Sequence, residues 1–202
     1  MKEDKEYKHD IEVIRTMMER STRFLSLSGW AGIMAGIYAF AGAWIASEVL
    51  QFNPDKFQYE YSGDSFSLFV LAFAVIIVAV LTALFDSRKK AASRKVKAWN
   101  ATSKRLLINM AVPLFSGGAL IVILFLSGLT GLIAPLTLIF YGIALFSAGN
   151  FTFNELRIMG LAQIALGLLN CWFIETGLLF WVIGFGVIHI VYGIYMHIRY
   201  AK

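Results

Sequence analysis

The chain is poor in the residues on which soluble domains and disulfide scaffolds depend. Its 202 residues include one cysteine, three prolines and 15% charged residues, whereas soluble domains carry about 25% charged residues. The single Cys171 excludes an internal disulfide, and so few prolines exclude collagen-like and low-complexity classes. The remainder is rich in apolar residues, at 58% of the chain, with a mean hydropathy of +0.69. This composition indicates a protein that lies mainly in lipid.

The first segment, residues 1–23, has no apolar core and carries six bases and six acids. We therefore expect no removable signal peptide. Asp10 is placed to cap a helix in which Ile11, Ile14 and Met18 share one face. The segment is predicted to be a cytoplasmic amphipathic region that lies on the membrane, pairs with a partner helix or extends the first transmembrane helix.

Six long apolar runs follow this segment. Each has roughly 20 residues, enough at about 1.5 Å per residue to cross a hydrocarbon core of roughly 30 Å. Because backbone in lipid must satisfy its own hydrogen bonds, all six should be helices. The sequence thus predicts an all-α membrane protein with a transmembrane domain at residues 24–199 and three antiparallel hairpins. The six predicted helices are residues 24–47, 66–86, 106–127, 132–149, 156–174 and 177–198.

The positive charge is concentrated between the second and third runs, in a predicted loop at residues 88–105 that contains no acid. Its eight bases are Arg88, Lys89, Lys90, Arg94, Lys95, Lys97, Lys104 and Arg105. If this loop is cytoplasmic, 17 of the 18 bases are cytoplasmic and only Lys56 lies outside. The positive-inside rule therefore predicts both termini inside, in a bacterial cytoplasmic membrane. We expect these bases to contact anionic lipid headgroups rather than nucleic acid.

On the opposite side, residues 48–65 form the one long predicted loop, with Asn53, Pro54 and Asp55 as a turn signal. This loop is expected to lie on the bilayer surface. The sequence Thr-Gly-Leu begins at Thr130 and again at Thr176, near two predicted tight turns. That recurrence is a hint of a repeated hairpin, although chance matches are common at this length.

Small residues mark the predicted helix contacts. Twelve of the 20 residues from position 28 to position 47 are Gly, Ala or Ser, and such residues let helices approach closely in lipid. The first helix should therefore have two neighbours, in the bundle or at a homo-oligomer interface, whereas the second helix should face lipid. The predicted packing positions are Ser28, Gly32, Gly36, Gly160, Gly167, Gly186 and Gly193.

Polar residues inside the apolar runs are the candidates for function. Gln163 and Asn170 share one face of the fifth run, and His189 lies on the sixth. Folding these two runs about their turn places Gln163 level with His189, which predicts a hydrogen bond between the two side chains. His189 either binds a solute or relays protons, or it only joins helices.

Tyr141 on the fourth run is the remaining candidate. Its predicted hairpin brings it level with Gly118, where a phenol fits over the absent side chain. Tyr141 either joins a polar interior with His189 or only fills a groove.

Signals of catalysis are weak. The three histidines have no metal-binding spacing, and the acids of the apolar runs lie at their ends. We therefore expect no metal, no cofactor and no enzyme activity. The best-supported function is a small transport or sensing protein with a site for a solute, proton or lipid headgroup at His189, Gln163, Asn170 and Tyr141. The alternative is an accessory subunit whose cytoplasmic surface docks a partner protein, with an embedded enzyme as a distant third.

Overall fold

A computed structural model describes residue 11 and residues 29–57, 63–93 and 101–200 of the chain. Over these ranges the secondary structure is helical and contains no strand. The helices are α1 (Gly29–Trp44), α2 (Ser65–Ser93), α3 (Ala101–Leu126), α4 (Ile133–Ala148), α5 (Asn154–Trp172), α6 (Gly177–Trp181) and α7 (His189–Tyr200). π-Helical stretches at Ile45–Val49 and Val182–Ile188 extend α1 and join α6 to α7. The predicted N-terminal segment lies outside the described residues apart from Ile11, which is helical and exposed.

Five helical stretches within the described ranges are long and apolar enough to cross a membrane. They are Gly29–Val49, Ser65–Ser93, Thr102–Leu126, Thr130–Ala148 and Ile174–Arg199. The sixth predicted span, α5, is helical but does not belong to this group. It carries Glu155 and Arg157 near its start and three carboxamides, at positions 154, 163 and 170, so its hydropathy is lower.

The helices pack in a chain of neighbours. α1 lies against α7 and the π-helical stretch Val182–Ile188, and α4 packs most extensively against α5. α3 covers α4, while α2 packs along α1, where Tyr38 and Thr82 are joined by a 3.2 Å hydrogen bond. Most of the large apolar side chains of α2 are exposed, as expected for the helix predicted to face lipid.

The predicted basic loop is shorter than its charge pattern suggested. α2 continues through Arg88, Lys89 and Lys90 to Ser93, and α3 already contains Lys104 and Arg105. The remaining three bases, at positions 94, 95 and 97, lie outside the described residues. Apolarity marks where a helix enters lipid, whereas lysine, arginine and alanine favour helix and let it continue into water.

The start of α2 is capped by Asp64. Its carboxylate accepts hydrogen bonds from the Phe66 backbone N–H at 3.0 Å and from the Ser67 hydroxyl. The Ser67 hydrogen bonds hold the pKa of this exposed carboxyl below its usual value. The carboxylate therefore stabilises the fold above the unfolded-state pKa, and this contribution is lost as the pH falls through the lower folded-state pKa.

Glycines sit where two helix pairs approach most closely. On α1, a Cβ at Gly36 would lie 2.6 Å from the Gly186 carbonyl oxygen, and one at Gly32 would lie 3.2 Å from the Gly193 Cα. On α5, a Cβ at Gly160 would lie 2.7 Å from the Gly142 carbonyl oxygen. These positions explain the small-residue pattern as close backbone packing between helices. Ser28 lies outside the described residues.

Residues 54–57, in the loop predicted to lie on the bilayer surface, contact both Thr-Gly-Leu turns. The Thr130 hydroxyl donates to the Lys56 carbonyl at 3.3 Å, and the Leu178 backbone N–H donates to Asp55 Oδ1 at 2.8 Å. A Cβ at Gly131 would lie 2.7 Å from the Phe57 Cα. The repeated sequence therefore provides two turns against which this loop segment packs.

Replacing Asp55 with alanine is expected to loosen this end of the bundle. The start of α6 would lose the acceptor for the Leu178 N–H, and loss of such a cap costs about 1 kcal/mol. Thermal unfolding in detergent measures the change. The control is Asn53→Ala, because Asn53 Oδ1 accepts only a local hydrogen bond from the Asp55 N–H at 2.9 Å. A larger loss for Asn53→Ala than for Asp55→Ala would contradict the capping role.

Candidate functional site

Three helices bring Tyr141, Gln163, Gly184 and His189 together, and we call these four residues the polar core. The Tyr141 hydroxyl lies 2.7 Å from His189 Nε2. His189 Nδ1 lies 3.1 Å from the Gly184 carbonyl oxygen, to which Gln163 Nε2 also donates at 2.8 Å. Gln163 has no exposed surface and His189 is 6% exposed. The polar core is thus a hydrogen-bonded cluster joining α4, α5 and the last helical stretch.

The partners of His189 determine its tautomer. A carbonyl oxygen only accepts hydrogen bonds, so the nitrogen that faces Gly184 must carry hydrogen. In a neutral imidazole the other nitrogen is then an acceptor, and Tyr141 donates its hydroxyl hydrogen to it. A proton added at Nε2 would reverse that bond, because Tyr141 would have to accept from Nε2 and donate elsewhere.

Aromatic rings pack against one side of the His189 imidazole. The Phe185 ring lies 5.9 Å from the imidazole centroid and 5.0 Å from the Tyr141 ring. Trp181 continues this group, with its ring 4.8 Å from Phe185. The rings limit water around the histidine, and the Trp181 indole lies two ring contacts away from it.

Two buried acceptors near this region are unsatisfied among the described residues: Gln163 Oε1 and Asn170 Oδ1. A buried acceptor without a donor costs about 1–3 kcal/mol. Asn170 is fully buried and donates to the Phe173 carbonyl at 3.0 Å, at the end of its own helix. Gln163 Oε1 belongs to the polar core and is a spare acceptor there.

The predicted hydrogen bond between Gln163 and His189 is wrong, because the two side chains do not bond to each other. Both side chains instead bond to the Gly184 carbonyl. A Cβ on Gly184 would lie 2.6 Å from Gln163 Oε1 and closer still to the end of the Leu138 side chain, so a larger residue would have to displace both side chains.

The predicted contact between Tyr141 and Gly118 is also wrong. Gly118 faces open space, and it is Gly117 that approaches a ring of α4, that of Phe140. Tyr141 instead lies beside His189, which is the first of the two alternatives predicted for it. Two neighbouring residues on α3 point in directions about 100° apart. Matching residues of two helices by their depth alone does not distinguish these directions.

Sequence reasoning missed Gly184 and Phe185. The available signal was the pair Gly184 and Gly186 just before His189, of which only Gly186 was noted, as a packing position. The π-helical geometry of Val182–Ile188 is the second missed feature. Such stretches are rare and are frequent at functional sites.

Five apolar stretches of membrane-spanning length and a polar cluster buried among them indicate a helical integral membrane protein. Comparison with protein-family models, curated proteins and solved structures finds no match for the chain.

Proposed function

We propose that the protein is a small membrane sensor or transporter whose intramembrane site is the polar core, and that a proton is the ligand this site fits best. The observation that carries the proposal is the His189 imidazole held between the Tyr141 hydroxyl and the Gly184 carbonyl. Ionisable side chains within membrane spans are costly and typically serve a function. Histidine is also the side chain whose ordinary pKa lies closest to neutrality.

The tight packing of the polar core favours a proton over a larger solute. Leu138 and Gln163 have no exposed surface, and a carbon added to Gly184 would displace both side chains. A proton needs only a hydrogen-bonded path and an acceptor. Gln163 Oε1 is an unsatisfied buried acceptor within the same cluster. Asn170 supports the end of α5 in this proposal rather than binding the ligand.

The proposed orientation places both termini in the cytoplasm of a bacterial inner membrane, with six helices in three hairpins. Two contacts at opposite ends of the bundle support an even number of crossings. Arg199 near the end of α7 lies 3.4 Å from Glu155 at the start of α5, and Asp55 caps α6 at the other end. The bases at one end of α2 and α3 support contact with anionic lipid.

The same tight packing also favours the second candidate, an accessory subunit without a ligand. In that function the polar core only joins helices, and residues 1–23 and 88–105 dock a cytoplasmic protein. The two candidates differ in whether the polar core responds to pH.

The test compares wild type, His189→Leu and the control His197→Leu in liposomes across a pH series. His197 lies on the same helix but is exposed. A sensor is expected to show a pH-dependent change in Trp181 fluorescence, taken as the difference between each protein and its Trp181→Phe variant because the chain has five tryptophans. A transporter also shows proton flux above that of empty liposomes. Both signals should vanish in His189→Leu and persist in His197→Leu. Wild-type fluorescence and flux that do not change with pH, or that match those of His189→Leu, would favour the accessory subunit.

A further inference from the structure

A groove on the outside of the bundle, between α3 and α4, is separate from the polar core. We call it the lipid-side groove; it encloses about 430 Å³. Ile108, Val112 and Pro113 line it on α3, and Phe140 and Ile143 line it on α4. Ile108 is 55% exposed and Val112 is 70% exposed. The groove therefore opens to the surroundings of the bundle, which in a membrane are acyl chains.

The length of the groove along α3 is close to the hydrocarbon thickness of one membrane leaflet. From Ile108 to Ser116 it covers eight helical steps, or about 12 Å along α3. Half of a hydrocarbon core is about 15 Å thick. The groove is thus long enough to hold much of one acyl chain and ends near the bilayer midplane.

One end of the groove carries positive charge. Lys104 and Arg105 are exposed one turn before Ile108 on α3. Asn109 connects this basic turn to the groove, since its side-chain amide donates to the Arg105 carbonyl at 2.8 Å and its residue lines the groove. At the same end of α4, the Arg157 guanidinium lies 4.9 Å from the centre of the Phe146 ring. An apolar channel with bases at one end is complementary to a lipid that has a negative headgroup.

We propose that the lipid-side groove binds one acyl chain of an anionic phospholipid, with its phosphate at Lys104 and Arg105. The groove holds the chain by apolar contact and the two bases select the headgroup charge. The proposed orientation of the protein determines only which leaflet supplies the lipid. The site does not depend on proton binding at His189.

The charge test measures binding of phosphatidylglycerol by native mass spectrometry of the detergent-solubilised protein. Each base near a membrane surface contributes about fivefold to the binding of anionic lipid. The variant Lys104→Ala/Arg105→Ala should therefore weaken binding by about thirtyfold. The control Arg88→Ala/Lys89→Ala removes the same two charges from the exposed end of α2, away from the groove, and should have a much smaller effect. Equal weakening by the two variants would overturn the proposal, because it would show general attraction to charge.

The groove test fills the apolar channel. Val112→Trp should weaken phosphatidylglycerol binding by more than fivefold, on the order of the loss of one base. Phe115→Trp is the matched control, since Phe115 lies on α3, is 80% exposed and is not among the residues that line the groove. Ile143→Trp fills the groove from α4 and repeats the test should Val112→Trp fail to fold. Wild-type affinity in a folded groove-filling variant would overturn the proposal.

Discussion

Replacing Gly142 with leucine is expected to destabilise the protein by about 3 kcal/mol, at the upper end of the cost of overpacking. A Cβ at this position would lie 2.7 Å from the Gly160 carbonyl oxygen and 2.9 Å from the Ile164 backbone nitrogen. Backbone atoms cannot turn aside as a flexible side chain can. α4 and α5 would therefore have to separate, and Tyr141 on α4 would move away from Gln163 on α5. Unfolding by denaturing detergent measures the loss.

Gly118→Leu is the matched control for this substitution. Gly118 is also a helical glycine within an apolar stretch, but a Cβ there meets nothing within 4 Å. Its replacement should change stability by no more than about 1 kcal/mol, and in the stabilising direction, because glycine is a poor helix former. Equal losses for the two variants would show that α4 and α5 do not pack through Gly142.

The second large effect is expected from breaking the bond between Tyr141 and His189. Tyr141→Phe leaves His189 Nε2 without its donor, and His189→Leu leaves the Tyr141 hydroxyl and the Gly184 carbonyl each short of a partner. Each single variant should lose about 1–3 kcal/mol, which is the cost of an unsatisfied buried group. The double variant should lose less stability than the sum of the two single losses, because the bond can be lost only once. Unfolding of all four proteins completes the cycle.

The coupling energy, which is the difference between the double-variant loss and the sum of the single losses, distinguishes a direct contact from an indirect one. Hydrogen bonds within membranes average about 0.6 kcal/mol and reach about 1.7 kcal/mol. We expect the Tyr141 and His189 pair to lie toward the upper value, since its bond is 2.7 Å long and buried. The pair Gln163→Leu and His189→Leu should couple more weakly, because these residues meet only through the Gly184 carbonyl. A stronger coupling for that second pair would contradict the geometry of the polar core.

Much of the helical organisation follows from the sequence, because apolarity over about 20 residues is a strong signal in lipid. The pattern of small residues likewise identified Gly32, Gly36 and Gly160 as positions of close approach. The limits of the helices were harder to predict. Lys89 and Lys90 end an apolar run, yet their helix continues to Ser93. Hydropathy changes at the membrane surface, whereas hydrogen bonding continues as long as the residues favour helix.

Three of the four residues of the polar core, Tyr141, Gln163 and His189, were predictable from the sequence, whereas Gly184 and the hydrogen bonds were not. Pairing helices about their turn places Gln163 and His189 at similar depth, but it assumes a regular α-helix. Between Val182 and Ile188 the turns are wider, with hydrogen bonds from residue i to i+5. That widening changes which face of the helix each following residue occupies. The shared carbonyl of Gly184 could therefore emerge only from the three-dimensional structure.

The most direct test of a proton-responsive polar core is nitrogen NMR of the histidine rings in lipid bilayers over a range of pH. The chain has three histidines, at positions 9, 189 and 197, and the signal lost in His189→Leu identifies the buried ring. We predict that at neutral pH this ring carries hydrogen on Nδ1 and none on Nε2. On acidification Nε2 should gain a proton together with the change in Trp181 fluorescence. A neutral ring with its hydrogen on Nε2, or a ring that does not titrate before the protein unfolds, would contradict the proposed function.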